Sequence, residues 1–219
     1  MSELKVNKLS PATGTETTLG DSSDDFLLPS GAEIIAQSGS TITIASGATI
    51  ANAGTATGFG GVGITLGTEQ ATTSGSDFTF SGIPSGTKRV YMIFEEVVIS
   101  GSDDWLIQLG DGGGIETSGY TSSSTSHTTA NVIANATSTS GFVMDNNSGS
   151  SSTLTGAFCF ELTDSTNNTW IGHSVLESYT NQTITSGGSK SLSAAITQIK
   201  LDTTGSNTFT AGSINITYE

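Results

Sequence analysis

The residues of this chain that could do chemistry are few, and the surrounding sequence does not supply the elements that would position them. Gly58, Gly60 and Gly63 match the spacing of a dinucleotide-binding fingerprint. That fingerprint works only between a strand and a helix, because the helix N-terminus meets the pyrophosphate. Glycine, serine and threonine are frequent in the residues that follow, so the sequence predicts no helix there and no nucleotide site.

A second chemical spacing occurs at Ser85 and Lys88, which match the nucleophile and base of an S-x-x-K motif. These two side chains meet only when a helical turn stacks them. Pro84 and Gly86 instead predict a turn between strands. The sequence therefore predicts no serine nucleophile at this position.

A metal site would need ligands that converge, and the candidate ligands are scattered. His127 lies in a Ser/Thr tract and His173 in a predicted strand, Trp170–Leu176, and nothing pairs them. Aspartates cluster at predicted turns, where they usually bond their own backbone. They show no EF-hand-like spacing, so calcium binding at these turns is left open. The clustered aspartates are Asp21, Asp24, Asp25, Asp103, Asp104 and Asp111.

Glycoside hydrolysis would need two carboxylates that face each other across a cleft. Glu95 and Glu96 are neighbours in one predicted strand, so we expect them to point to opposite faces. We therefore predict no enzyme and no cofactor, and the sequence nominates no metal ligand, with calcium at the aspartate turns left open.

Composition excludes further functions. The 219 residues carry only six Lys and Arg against 20 Asp and Glu, for a formal net charge of −14. Such a chain neutralises few phosphates, so nucleic-acid binding is excluded and an acidic membrane surface is disfavoured. No apolar run approaches the ~20 residues of a membrane span, and the N-terminus lacks the apolar stretch of a signal peptide. The single cysteine, Cys159, forms no intramolecular disulfide.

These features together favour a protein that is made in a cytosol but carries an exterior type of composition. The chain is rich in Gly, Ser and Thr and only 12% charged. A virus particle combines both conditions, because it is assembled in the host cytoplasm and released by lysis. We therefore expect an exterior virion location.

The N-terminal region 1–57 contains an internal repeat. Phe26–Ile34 matches Ile42–Ile50 at an offset of 16 residues, with an alternating strand and a Ser-Gly-Ala turn in each copy. Two copies cannot bury enough apolar surface to order this region alone. Three chains could share one narrow core, so we predict a homotrimer; the alternative is a disordered tail with a chance similarity. The candidate trimer-core residues are Phe26, Leu28, Ile34, Ile42, Ile44 and Ile50.

The rest of the chain has the pattern of an all-β protein. Residues 58–67 are glycine-rich and predict a hinge. Residues 68–219 contain short alternating strands separated by turn signals, which predict a jelly-roll-like β-sandwich. Val90–Ile99 is apolar on both faces, as expected of a central strand. Residues 118–140 are mainly Ser, Thr, Asn and Ala, so we expect a long loop or a poorly patterned edge.

Aromatic and polar residues near the expected loops are the candidates for ligand contact. Trp105 shares a face with Ile107 and Leu109 and is expected in the core. Tyr120 and Tyr179 adjoin Gly, Ser and Asn residues and are expected to be exposed, where a ring can stack on a sugar. Loops at one end of a sandwich commonly carry binding residues. The candidate glycan contacts are Asp103, Asp104, Tyr120, Tyr179 and Gln182.

Several long stretches also resemble a known group of proteins. The run Ser2–Ile34, the stretch Thr41–Gly60, the stretch Leu106–Ser122 and the ending Asn207–Glu219 are similar to tail-fibre and related virion proteins of marine tailed bacteriophages, including those of cyanobacteria. The resemblance implies an N-terminal segment that docks on the virion or trimerises, and a β-sandwich that projects outward. It implies no fixed receptor-binding residues, and this chain is short for a full fibre.

The sequence therefore predicts a homotrimeric virion protein, a tail fibre or small fibre, that attaches the particle to host-surface glycan. Its N-terminal region would contact other virion proteins. The rival prediction is a capsid decoration or tail adaptor that contacts only other virion subunits. A glycan depolymerase is a third class and would need a carboxylate pair in a groove.

Overall fold

The structure is a computed structural model that describes residues 63–128, 133–145, 149–178 and 182–219. All of them belong to one compact unit, Gly60–Glu219. The predicted hinge is described only from Gly63 onward, and there Thr65 and Leu66 pair with the last strand of the chain. The predicted region 1–57 lies outside the described residues, with its six trimer-core candidates Phe26, Leu28, Ile34, Ile42, Ile44 and Ile50.

The described residues form fourteen strands and one short 3-10 helix, Gly149–Ser151. None of their helices is long and apolar enough for a membrane span. The strands of the larger sheet are β1 (Thr65–Leu66), β2 (Gln70–Ala71), β4 (Arg89–Ile99), β7 (Tyr120–Thr128), β8 (Ile133–Ser138), β10 (Leu154–Asp164), β11 (Thr169–Ser178), β12 (Gln182–Ser191) and β14 (Phe209–Tyr218). Those of the smaller sheet are β3 (Phe78–Ser81), β5 (Trp105–Asp111), β6 (Gly114–Ile115), β9 (Phe142–Met144) and β13 (Gln198–Thr203).

The two sheets are antiparallel and pack face to face. The larger sheet has the order β1-β14-β4-β10-β11-β12-β7-β8, with β2 paired to β14. The smaller sheet has the order β3-β13-β5-β6, with β9 paired to β5. The predicted all-β sandwich is confirmed, whereas the jelly-roll topology and the N-terminal segment stay predictions.

The core lies between the sheets, because alternate residues of each strand point inward. Trp105 and Leu109 of β5 are completely buried, as the alternation predicts. From the larger sheet, Phe158 and Phe160 stack with ring centroids 4.6 Å apart. Phe142 of β9 meets both rings edge-on, at 5.6 and 5.1 Å. This aromatic cluster joins the two sheets at the middle of the sandwich.

Strand β4 is central in the larger sheet, as predicted, because it lies between β14 and β10. Its apolar side chains point alternately to the inner and the outer face of the sheet. Met92 and Phe94 point into the core and are buried. Tyr91 and Ile93 point outward and are only half-buried. The outer face of this sheet is therefore less polar than a solvated face usually is.

A β-bulge near the end of β4 changes the directions in which the side chains of Glu95 and Glu96 point. The backbone φ of Glu96 is 50°, and the register with β14 shifts beside it. A Cβ on Gly212 of β14 would lie 2.4 Å from the Glu96 carbonyl oxygen, so glycine is required there. Glu95 and Glu96 are both exposed, and strict alternation does not describe this pair.

The expected loop at residues 118–140 is wrong, because this segment forms β7 and β8. The alternative, a poorly patterned edge, describes β8, which is the last strand of the larger sheet, whereas β7 lies inside it. The inward positions of β7 after Tyr120 are the serines Ser122, Ser124 and Ser126, which are buried. We call these three residues the serine ladder.

The serine ladder bonds β9 of the smaller sheet. Ser122 Oγ accepts from the Val143 amide at 2.9 Å, and Ser124 Oγ accepts from the Asp145 amide at 3.0 Å. Ser126 Oγ donates to the Asp145 carboxylate at 2.6 Å. Hydroxyls can replace apolar groups here because each one meets a backbone or carboxylate partner.

The registers also define two ends of the sandwich. Thr65 of β1 pairs with Tyr218 of β14, so the described chain begins close to where it finishes; we call this the terminal end. The connection 100–104 and the connection 204–208 both lie at the opposite end, because Phe209 pairs with Ile99. We call this the far end.

Candidate functional site

The predicted contacts Asp103 and Asp104 lie at the far end and are half-buried. Asp103 Oδ2 accepts from the Asn207 amide at 2.7 Å. The Asp104 amide donates to Thr204 Oγ1 at 3.0 Å, and its carbonyl accepts from the Thr204 amide at 2.9 Å. Both aspartates therefore hold the two far-end turns together.

Of the other predicted glycan contacts, Tyr179 lies outside the described residues. Gln182 is the first residue of β12 and is 7% exposed. The structure places its side chain inside the sandwich, which corrects the expectation that it belongs to an exposed loop.

The expectation that Tyr120 is exposed is wrong. It lies at the terminal end, away from Asp103 and Asp104, and is 2% exposed. Its ring packs edge-on against Phe142 at 5.4 Å. Its hydroxyl accepts from the Leu109 amide and donates to the Glu116 carbonyl, both at 2.8 Å. Burial raises the pKa of this phenol, which therefore serves as a core residue with satisfied hydrogen bonds.

An ion pair closes the sandwich beside Tyr120. The side chain of Lys190 is only 6% exposed; its ammonium pairs with Glu116 and lies 5.2 Å from the Tyr120 ring centroid. Glu116 Oε1 also accepts from the Ser193 amide at 2.8 Å. Burial raises the pKa of Glu116, but the hydrogen bonds from Lys190 and Ser193 outweigh it and leave the pKa lowered.

A second carboxylate is bound to the same connection. Asp111 accepts from the Ser193 hydroxyl at 2.5 Å and from the Gly113 amide at 2.7 Å. These hydrogen bonds, that of Ser193 above all, lower the pKa of Asp111. Asp111 and Glu116 thus attach the β5–β6 hairpin to the connection that follows β12.

These two carboxylates predict acid sensitivity. A carboxyl whose folded pKa is lowered stabilises the fold above its unfolded pKa of about 4, and that contribution is lost as the pH falls through the folded pKa. We expect the free energy of unfolding, measured by urea titration, to fall between about pH 5 and pH 2. Asp111→Asn keeps one carbonyl oxygen that can accept from the Gly113 amide, replaces the other oxygen by an amide that can donate to the Ser193 hydroxyl, and should flatten this fall because it does not titrate. An equally steep fall in Asp111→Asn would contradict the assignment.

A shallow groove of about 760 Å³ lies at β12, β7 and β8. Exposed hydroxyls line it, and Gly187 of β12 lies between them and His173, which is its register partner on β11. Because Gly187 has no side chain, nothing projects from the outer face of the sheet at this position, and this leaves space for the groove. The exposed hydroxyl residues of the lining are Thr121, Ser123, Thr137 and Thr139.

A second groove, of about 470 Å³, shares Thr137, Ser138 and Thr139 with the first. Its other wall belongs to the smaller sheet and includes Gln108 and Asp202. Gln108 donates Nε2 to the Ser140 carbonyl at 2.9 Å, and its Oε1 has no hydrogen-bond partner among the described residues. The two grooves therefore flank one ridge, residues 137–139, which we call the hydroxyl ridge.

The grooves offer hydrogen bonding without a catalytic constellation. Hydroxyl and amide groups both donate and accept, so they match the hydroxyls of a sugar. The carboxylate of Asp202 is bound to Lys200 at 2.6 Å. In the described ranges, no group of three or more His, Cys, Asp and Glu side chains could hold a metal ion.

Sequence reasoning missed the hydroxyl ridge because Ser and Thr there give no apolar alternation. The available signal was the alternation of Ala134 and Ala136 with Asn135 and Thr137, which is the period of a strand. Comparisons with protein-family models, with curated proteins and with solved structures found no match to this chain.

Proposed function

We propose that this chain is a virion protein of a tailed bacteriophage, a tail fibre or small fibre, that attaches the particle to host-surface glycan as a homotrimer. The role is non-enzymatic. The resemblance of four long stretches to marine phage virion proteins supports the phage assignment, together with the Gly-, Ser- and Thr-rich composition and the net charge of −14.

The pair of grooves around the hydroxyl ridge is the observation that carries the attachment role. A groove of about 760 Å³ falls in the size range of small-ligand sites, roughly 300–1,000 Å³. Its lining bears no carboxylate and no cation, and the chain is strongly acidic. An uncharged polysaccharide is therefore the ligand class that this first groove fits best.

The position of the grooves suits a particle-mounted protein. The hydroxyl ridge belongs to edge strand β8, whereas residues 1–62 join the described chain at β1, the opposite edge of the larger sheet. If the N-terminal region docks on the virion, the β8 edge stays open to the host. Several trimers on one particle would then multiply a weak contact by avidity.

Filling the first groove tests this proposal. A Cβ on Gly187 has only an ordinary contact, 3.5 Å to the Gly172 carbonyl oxygen, so Gly187→Tyr places a ring in the groove without straining the sheet. We expect affinity for host polysaccharide, measured by surface plasmon resonance on the full chain, to fall at least tenfold, about 1.4 kcal/mol.

Thr183→Tyr is the matched control. Thr183 is exposed on the same strand and does not line the groove, so this variant should bind as the parent does. Equal affinity of the parent and both variants would exclude the groove as the binding site. Shortened polysaccharide chains after incubation with the parent would overturn the non-enzymatic role.

A purely structural role is the second candidate, as a capsid decoration or tail adaptor. The observation that favours it is the exposure of Val175, 70%, and Ile171, 39%, on one face of the larger sheet. Virions that lack the chain distinguish the two roles. Intact particles that fail to adsorb would support attachment, whereas unstable particles would support a structural role.

A further inference from the structure

The large apolar side chains that remain exposed among the described residues all lie on one surface. They are Ile64, Leu66, Ile171 and Val175, with exposed fractions of 69%, 65%, 39% and 70%. Ile171 and Val175 alternate with buried residues of β11, so they point away from the core. Leu66 pairs with Thr217, whose neighbour Tyr218 packs against the core, so Leu66 also points outward.

The registers place these side chains in one band across β1, β14, β4, β10 and β11, in which Thr217 separates Leu66 from Tyr91 and Glu161 lies opposite Ile171. Val175 lies opposite Ala157 of β10, which lies opposite Ile93 of β4. In the next row, Cys159 lies between His173 of β11 and Tyr91 of β4. Cross-strand neighbours on one face are about 5 Å apart, so these side chains contact one another. We call the band the apolar face: Ile64, Leu66, Tyr91, Ile93, Ala157, Cys159, Ile171 and Val175.

Charged carboxylates and Arg89 surround the two middle rows, whose polar members are His173 on β11 and Asn215 and Thr217 on β14. On one side lie Glu95 and Glu177, both exposed. On the other side, Arg89 bonds Glu161 at 3.0 Å and Glu219 at 2.5 Å. Two molecules of net charge −14 repel each other, and this repulsion is smallest where uncharged rows meet.

We propose that the apolar face is the contact between the sandwich domains of neighbouring copies of this chain. The inference rests on the proposed homotrimer and assigns the surface through which its sandwiches pack. Residues 1–62 join the described chain at Ile64 and Leu66, on the rim of this same face. If these residues hold three chains together, the faces are held at high effective concentration, so a modest apolar contact forms.

The contact ends at β11 and leaves the grooves at β12, β7 and β8 open. The remaining outward positions there are mostly hydroxyl-bearing, such as Thr185 opposite Val175, with Gly187, His127 and Asn135 as exceptions. The outer face of the larger sheet thus has an apolar half for assembly and a hydroxyl half for ligand.

Light scattering combined with small-angle X-ray scattering on the full chain tests the proposal. We expect the parent to have three times the chain mass of 22.2 kDa and closely packed domains. Val175→Glu puts a charge into the apolar face at a position 70% exposed in the single chain, so its own fold should tolerate it. We expect this variant either to keep the trimer mass with a larger radius of gyration, or to have a trimer dissociation constant at least tenfold higher.

Thr79→Glu is the control, because Thr79 is exposed on the smaller sheet; it should match the parent. Val175→Thr, nearly isosteric and β-branched, is a second variant that should weaken packing in the same direction. A trimer unaffected by either Val175 variant would overturn the interface and leave the trimer standing. A parent that is monomeric at all concentrations would overturn both. If the parent is monomeric and Val175→Glu has a lower melting temperature than Thr79→Glu, the result would indicate that residues 1–62 of the same chain cover the apolar face.

Discussion

Replacing Lys190 by methionine is expected to lower the free energy of unfolding by about 2 kcal/mol, because it leaves the carboxylate of Glu116, whose side chain is 23% exposed, without its buried partner. The methionine keeps the apolar stem of lysine in a site where only 6% of the side chain is exposed. Glu116 then keeps only the Ser193 amide, at 2.8 Å, of the two groups that stabilise its carboxylate. Urea unfolding at pH 7, followed by tryptophan fluorescence, measures the change.

Two further variants separate the ion pair from the general effect of losing a lysine. Lys200→Met removes a comparable pair with Asp202, but its side chains are 19% and 26% exposed, so we expect a loss within about 1 kcal/mol. Lys190→Met combined with Glu116→Gln removes both charges and should recover part of the stability. A Lys190→Met protein as stable as Lys200→Met would show that this ion pair is not a major contribution.

Removing two hydroxyls of the serine ladder is expected to have an effect of similar size. In Ser122→Ala with Ser124→Ala, the Val143 and Asp145 amides lose their acceptors at 2.9 and 3.0 Å. A buried amide without a partner costs about 1–3 kcal/mol, so the double variant should lose about twice that amount. The free energy of unfolding from urea titration is the measurement.

Ser123→Ala is the matched control, because Ser123 lies on the same strand and points outward. We expect its stability to stay within about 0.5 kcal/mol of the parent. The double variant also predicts local loosening of β9, which should appear as faster amide hydrogen exchange at Val143. If exchange there and global stability both match Ser123→Ala, hydroxyl bonding does not hold the two sheets together at this point.

The two stability predictions concern polar groups that hold the sandwich closed at different places. Lys190 acts at the terminal end, where Asp111 and Glu116 attach the β5–β6 hairpin. The serine ladder acts where β7 crosses β9. Both places lie close to the hydroxyl ridge, since Tyr120 and Ser122 also line the first groove. Variants that loosen them should therefore be compared with Gly187→Tyr at equal folded concentration.

Much of the fold could be predicted from local pattern. Alternation in β5 correctly predicted that Trp105 and Leu109 are core residues, and the run Val90–Ile99 correctly predicted a central strand. Gln108 alternates with Ile107 and Leu109 and lies on the other face of the strand, yet it too is buried, with 4% exposed. Its amide bonds the Ser140 carbonyl at 2.9 Å, and a contact 32 residues away leaves no trace in the local pattern.

The candidate site could be predicted far less well. Tyr120 adjoins glycine and serine, which is the pattern of a loop, but tertiary contacts with Leu109 and Glu116 place it in the core. Asp103 and Asp104 lie in a turn, as predicted, but they bond the neighbouring turn. The residues of the hydroxyl ridge looked featureless, because Ser and Thr suit loops, strands and turns alike.

By itself, the amino-acid sequence determined the class of this protein: an all-β chain, strongly acidic, with only six Lys and Arg against 20 Asp and Glu. Composition and strand periodicity determine these properties, because net charge is a sum over all residues and strand formation depends on residues that are close in sequence. Only the tertiary structure decided which serines are buried, that Lys190 lies in the interior, and that the exposed apolar side chains share one surface. A side chain's environment is set by strands distant in sequence, such as β9 against β7, and strand pairing at long range is not encoded in any short stretch.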